Sequence, residues 1–424
     1  MSATTTQAKS YLLPMIIISA LFFIFGFVTW LNGILIPYLK IACELSNFEA
    51  LLVAFAFYIA YTIMALPSAY VLKKTGLKNG MMLGLWIIAL GTLIFVPAAY
   101  TRTYWVFLFA LFVMGTGLAI LQTASNPYIT IIGPHESAAR RISILGVCNK
   151  LAGAVAPLIL AYFILADGDA LMKSMEGLDT VARNIALDEL ALRVVNPYIA
   201  MTIILVLMGI GVRLSPLPEI EKEEDEDLNL NKVETKRSIL AFPHLVLGVI
   251  TLFFYVGAEV IAGDTIIRYG LSLGISMEEA KAFTSYTMVT MVLGYILGII
   301  LIPKYLNQRI ALMISALLGV LFTLGAVLTS GITSVYFVAL FGFANAIVWP
   351  AIWPLALHNL GSFISKGSAL LIMAISGGAL LPLLWGSFSD IYSSQLAYII
   401  MIPCYFVIFY YSVWGYKLRS WRRS

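Results

Sequence analysis

Charge is scarce in this chain. Only 11% of its 424 residues are Asp, Glu, Lys or Arg, where an average soluble domain has roughly a quarter, so the composition argues against a soluble globular enzyme. Histidine is equally sparse. His135, His244 and His358 lie far apart without ligand spacing, which speaks against a metal site. The three cysteines, Cys43, Cys148 and Cys404, are odd in number, and the last two sit in apolar runs, so no disulfide framework is implied. No small-residue cleavage site follows the apolar run that begins after Lys9, and the N-terminus therefore reads as a retained span rather than a signal peptide.

What the chain has instead is apolar length. Hydrophobic residues make up 61% of it, and the mean hydropathy is +0.94. A helix needs roughly 20 apolar residues to cross a bilayer core. Twelve such stretches are predicted, at 12–38, 48–72, 80–99, 104–132, 142–166, 197–214, 242–269, 280–302, 309–329, 333–357, 367–388 and 396–416. Most basic residues outside these stretches fall on the side of the N-terminus, among them Lys73, Lys74, Lys78, Arg140, Arg141, Lys236, Arg237, Lys304, Arg309, Lys366, Arg419, Arg422 and Arg423. By the positive-inside rule both termini are cytoplasmic. The net charge of +4 is thus a topology signal and does not point to nucleic acid.

Two connections are long. The one at 167–196 has helical spacing and mixed charge and is expected to form a short surface helix pair. The other, 215–241, carries the run Glu221 to Asp227 behind Pro216 and Pro218 and reads as a solvated acidic linker. It separates an N-terminal six-helix unit, 1–214, from a C-terminal one, 242–424.

These units look duplicated. Leu21-Phe22-Phe23 with Gly26 recurs as Leu252-Phe253-Phe254 with Gly257, 231 residues on; Gly115 and Pro127 recur as Gly342 and Pro354, 227 on; Gly153 and Pro157 recur as Gly378 and Pro382, 225 on. Three ordered matches at a slowly drifting offset are the mark of parallel repeats. The fold class expected is all-α integral membrane, with two six-helix bundles related by a pseudo-two-fold axis along the membrane normal.

Polar groups inside apolar spans are costly and therefore informative. In span 4, Gln122 and Asn126 are four apart on one face beside Pro127, and amides offer the donors and acceptors that sugar hydroxyls require; interhelical hydrogen bonding is the alternative. In span 10, Asn345, Trp349 and Trp353 follow one stripe at i, i+4 and i+8. Aromatic faces there can stack on a pyranose, or simply pack. At the 227-residue offset Trp349 is the mate of Gln122. Tyr58 and Tyr61 in span 2 are further candidates.

Two acids lie in span 7. Glu259 has no basic residue at i±3 or i±4 and is the stronger candidate for coupling to a proton or a sodium ion. Asp264 has Arg268 four residues on, the spacing of an intrahelical ion pair, and is placed as its assistant. Lys150, in span 5, either snorkels to the inner surface, pairs with a carboxylate, or donates to the sugar.

Four segments, FFIFGFVTWLNGILIPYLK from Phe22, LQTASNPYITIIGP from Leu121, LFFYVGAEV from Leu252 and KGSALLIMAISGGALLPLLWGSFSD from Lys366, closely resemble the fucose–proton symporter family of the major facilitator superfamily. That family includes bacterial fucose, glucose/galactose and N-acetylglucosamine permeases, and the similarity covers essentially the whole chain. The resemblance implies a secondary transporter, not an enzyme, in a bacterial inner membrane. It would take up a hexose or related monosaccharide by cation symport with alternating access, as a monomer and without a cofactor. It also implies that Asn32 and Asn149 face the cavity. A passive uniporter, or a carrier of an amino sugar such as N-acetylglucosamine, is the alternative. The departures matter: the fucose members carry an Asp after the span 1 asparagine and a Glu before the span 4 threonine, where this chain has Gly33 and Gln122. At the 231-residue offset Gly33 maps onto Asp264, so the acidic function is expected to have moved to span 7.

Overall fold

The structure is a computed structural model, and it describes residues 12–131, 138–165, 173, 178–217, 238–302, 305–360 and 363–421. The acidic run at 221–227 and the basic residues Lys236, Arg237, Lys304, Arg422 and Arg423 lie outside these. All regular elements among the described residues are helical. In hydrocarbon every backbone donor and acceptor must be satisfied within the segment, and a chain this apolar meets that condition with helices.

Twelve helical segments among the described residues are long and apolar enough to span a bilayer: Leu12–Ala42, Asn47–Ser68, Tyr70–Thr101, Tyr104–Asn126, Arg141–Ile164, Thr180–Leu214, Pro243–Asp264, Met277–Leu301, Gln308–Leu328, Gly331–Leu357, Lys366–Ile391 and Leu396–Lys417. They are numbered spans 1 to 12 below. Their outer faces carry exposed Leu, Ile and Phe such as Ile63, Leu93, Phe109, Leu207 and Leu321, as a lipid-facing surface requires. Span hydroxyls return their hydrogen bonds to the preceding turn, as Thr29 does to the Phe25 carbonyl and Thr251 to that of Leu247.

Local chemistry sets several boundaries. Ser46 and Glu49 form a capping box that starts span 2, satisfying two orphan donors. Spans 2 and 3 run on through a kink at Gly76, whose φ is +76°. Nothing lies within 4 Å of where its Cβ would stand, so backbone conformation, not space, calls for glycine there. The expected surface helix pair is present in part, as Thr180–Leu192 at the start of span 6. It is anchored by Tyr38 Oη donating to the Leu190 carbonyl at 2.7 Å and by surface ion pairs Arg102–Asp188 and Arg183–Glu44.

The duplication is visible in packing. A Cβ on Gly115 would meet the Phe57 carbonyl oxygen at 2.2 Å, and one on its repeat mate Gly342 would meet the Thr287 carbonyl oxygen at 2.0 Å. Span 4 thus presses on span 2 as span 10 presses on span 8, each through a residue with no side chain. This is the small-residue contact that lets membrane helices approach closely.

The two halves meet through spans 2 and 11 and through spans 5 and 8. Ser285 donates to the Ala154 carbonyl at 2.6 Å, and Gly386 packs on Leu51. At the end of the bundle remote from the termini they are latched. Arg268 Nη1, after span 7, donates to the Asn47 carbonyl at 2.9 Å, while Lys40 holds the Asn47 side chain at 2.6 Å. Arg268 also lies over the Trp385 ring, 5.0 Å from its centroid. Burial lowers this guanidinium to about 10, against the pull of Asp390, which leaves it charged at neutral pH.

Candidate functional site

The polar and aromatic candidates form one group in each half, and the halves touch where Tyr58 meets Gly378 and Lys150 meets Glu259. In span 10, Trp349 and Trp353 stack with centroids 5.2 Å apart and planes 22° from parallel, as one turn of helix allows. Tyr255 of span 7 packs against Trp349 at 6.4 Å. Both tryptophans are half-buried, while Pro354 and His358 beyond them are exposed. Asn345, one turn earlier, is fully buried. Its Oδ1 accepts from Tyr405 at 3.1 Å and its Nδ2 has no partner among the described residues. Exposure along the stripe therefore rises towards the end of the bundle that carries the termini.

Span 4 contributes the amide of Gln122, which donates to Tyr61 Oη at 3.0 Å. Tyr61 stacks on Tyr58 at 6.4 Å, and Tyr58 lies against Gly378 of span 11. The repeat mates thus lean on aromatics of their own halves, Gln122 on Tyr61 and Trp349 on Tyr255. Asn32 is buried with an unpartnered Nδ2. Asn149 is buried and reaches the Phe22 carbonyl only at 3.4 Å, and Asn126 is half-buried.

Both expectations about the acids are corrected. Glu259 is not without a cation: Lys150 Nζ of span 5 approaches its Oε1 to 2.6 Å. Lys150 does not snorkel, being 7% exposed with its ammonium 4.3 Å from the centroid of the Trp30 ring. The partner lies 109 positions away in sequence, where helical spacing on span 7 cannot reveal it. Conversely, Asp264 does not pair with Arg268. Helix Pro243–Asp264 ends there and a separate helix, Ile266–Ser272, begins after Thr265. The i,i+4 geometry needs one continuous helix, and the break turns Arg268 to Asn47 instead.

Asp264 is consequently the isolated acid. It is 0% exposed, and neither carboxylate oxygen has a partner among the described residues. Glu259 and Tyr58 lie within electrostatic reach. Around the break the carbonyls of Ile261, Ala262 and Gly263 accept from Thr265, Thr287 and Thr284 at 2.6, 3.3 and 2.8 Å. The backbone oxygens next to Asp264 are thus engaged by the protein's own hydroxyls. A Cβ on Gly33, the position matching Asp264 in the first half, would fall 2.6 Å from Thr284 Oγ1, so the closed seam leaves no room for a second acid there.

A profile of the Major Facilitator Superfamily matches residues 18–380. A glucose/galactose transporter of Brucella abortus is 35% identical over 417 residues, covering 97% of this chain and 96% of that protein. The L-fucose-proton symporter of Escherichia coli K12 is 29% identical over 416 residues, covering 96% and 94%. Among solved structures, FucP in the outward conformation superposes with a TM-score of 0.74 at 28% identity, over 95% of this chain and 98% of that one. A D-xylose-proton symporter has a TM-score of 0.66 at 15% identity, covering 95% and 98%, and shares the fold.

Proposed function

The chain belongs to the Major Facilitator Superfamily, and from that premise we propose that it is a secondary transporter importing a neutral monosaccharide of the hexose class together with a proton. It is a multi-pass bacterial membrane protein, with both termini on the cytoplasmic side by the distribution of its basic residues. The latched end is then periplasmic, and the stripe of Trp349 and Trp353 runs towards the cytoplasmic end. Rocking of the halves about the seam would expose the site to each side in turn.

The coupling reading rests on Asp264, which is fully buried with neither oxygen hydrogen-bonded among the described residues. An ionised carboxylate buried without a partner costs several kcal/mol even after relaxation (~3–5 kcal/mol when a buried pair is broken), so the acid in this closed environment is read as carrying a proton. Loss of that proton would require the seam to open or a cation to arrive. A proton is favoured over sodium by the relative named as an L-fucose-proton symporter. The relatives named for glucose/galactose and fucose transport support the sugar class, and the stacked tryptophans and amides suit a pyranose.

The absence of an acid at Gly33 and Gln122 favours a second reading, passive uniport. Uptake of labelled D-glucose, D-galactose, L-fucose and N-acetylglucosamine into proteoliposomes separates the two. Accumulation above equilibrium under an inward proton gradient supports symport, accumulation only with sodium moves the coupling ion, and mere equilibration supports uniport.

A further inference from the structure

We propose that the Lys150–Glu259 ion pair is a substrate-reading element: the hydroxyls of a neutral sugar bridge the ammonium and the carboxylate, and the pair's charge balance excludes acidic sugars. This rests on the sugar-transport reading above and assigns Glu259 to the sugar in place of the coupling ion.

Accessibility separates the two acids. The side chains of Lys150 and Glu259 retain 9% and 11% exposure, whereas Asp264, five residues from Glu259, has none. The pair also adjoins the aromatic stripe, since Tyr255, one turn before Glu259 on the same helix, is the residue that packs on Trp349.

The pair is held in place by packed side chains. Trp30 faces the ammonium and is itself clamped between two glycines: a Cβ on Gly153 or on Gly263 would come within 2.5 Å of its ring. Span 1 supplies Trp30, span 5 Lys150 and span 7 Glu259, so one small cluster joins the halves. An ammonium has three donors and a carboxylate several acceptor sites. With Glu259 taking one donor and Trp30 covering a second side, the ammonium can still give a hydrogen bond to one hydroxyl while the carboxylate accepts from its neighbour. Charge-assisted bonds of this kind are the strong ones. Because the two charges cancel, a neutral polyol is served and a carboxylated sugar would meet Glu259 with like charge.

The test uses the full chain in detergent or nanodiscs, with binding of labelled D-glucose, D-galactose and L-fucose and competition by D-glucuronate and D-galacturonate. In Glu259→Gln the ammonium loses its counter-charge. Affinity for the neutral sugar is expected to fall about tenfold to a hundredfold, the scale of a hydrogen bond to a charged group, while a uronate that does not compete in wild type now does, with a gain of at least about tenfold. The variant Lys150→Gln/Glu259→Gln removes both charges and should lose the uronate gain; thermal unfolding of each variant verifies that it is folded. Wild type that binds a neutral sugar while folded Glu259→Gln keeps the same affinity and refuses uronates overturns the proposal alone. Wild type that binds none of the three sugars contradicts the transport reading as well. Should Glu259→Gln fail to fold, the double variant decides: unchanged sugar affinity in it overturns the proposal, and a loss of about tenfold or more upholds it.

Discussion

Arg268 stands four residues after Asp264 and turns away from it, to the Asn47 carbonyl of the other half at 2.9 Å. One helix break therefore accompanies two features: a latch at the end remote from the termini and, among the described residues, an acid without a hydrogen-bond partner in the seam. At that end Arg268 supplies a side-chain bond across the halves, in addition to Ser285 on Ala154 and Lys150 on Glu259 deeper in the seam.

Arg268→Ala should release that end. Loss of a hydrogen bond from a charged donor shifts the closed-to-open equilibrium by about tenfold to a hundredfold, and the stacking on Trp385 is lost with it. Spin labels at Glu44 and Ser272, one in each half, should show a longer mean distance in the variant. Arg268→Lys should restore it in part, because a lysine donates without presenting a planar face.

The packing glycines make a contrasting pair of variants. Gly342→Ala places a methyl 2.0 Å from the Thr287 carbonyl oxygen, which overpacks two helices and should cost roughly 1–3 kcal/mol. Gly211 has nothing within 4 Å of its Cβ position, so Gly211→Ala should be neutral or gain up to roughly 1 kcal/mol from helix propensity. Thermal unfolding in detergent should lower the midpoint for the first and leave or raise it for the second.

The repeat of Gly115 as Gly342 was legible as duplication, while the close helix approach each one permits appears only in the fold. The spans were legible for an equally direct reason, since about 20 apolar residues in a row satisfy few environments besides lipid. That Lys150 could pair with a carboxylate was legible, but that the partner is Glu259 was not. The two residues sit on different helices of different halves, and local spacing carries no record of which faces meet across the seam. The break at Thr265 also escaped notice, because no proline marks it and Gly263 alone is common inside membrane helices.

The stacking and amide residues should act on affinity. Trp349→Ala removes a ring stacked on Trp353 and should weaken sugar binding by about tenfold or more. Gln122→Ala loses its bond to Tyr61 and should weaken binding by about two- to tenfold. Transport kinetics should show a raised KM in both, with the maximal rate changed less.

Thiol reactivity offers a pH-resolved check. Burial pushes the Cys43 thiol up from 9.0 to about 11, with Arg102 pulling the other way. Only the thiolate reacts, so at neutral pH maleimide labelling of Cys43 should run about a hundredfold slower than for a free thiol, and its rate should rise about tenfold per pH unit until roughly pH 11. Cys148→Ser/Cys404→Ser isolates the site for the measurement.

Asp264 is proposed as the proton carrier, and Asp264→Asn tests that role most directly. Asn keeps the shape and removes the titrating group. Reconstituted in proteoliposomes, the variant should still exchange labelled for unlabelled sugar across the membrane, yet an inward proton gradient should no longer drive accumulation above equilibrium. Accumulation at the wild-type level by Asp264→Asn would contradict the account.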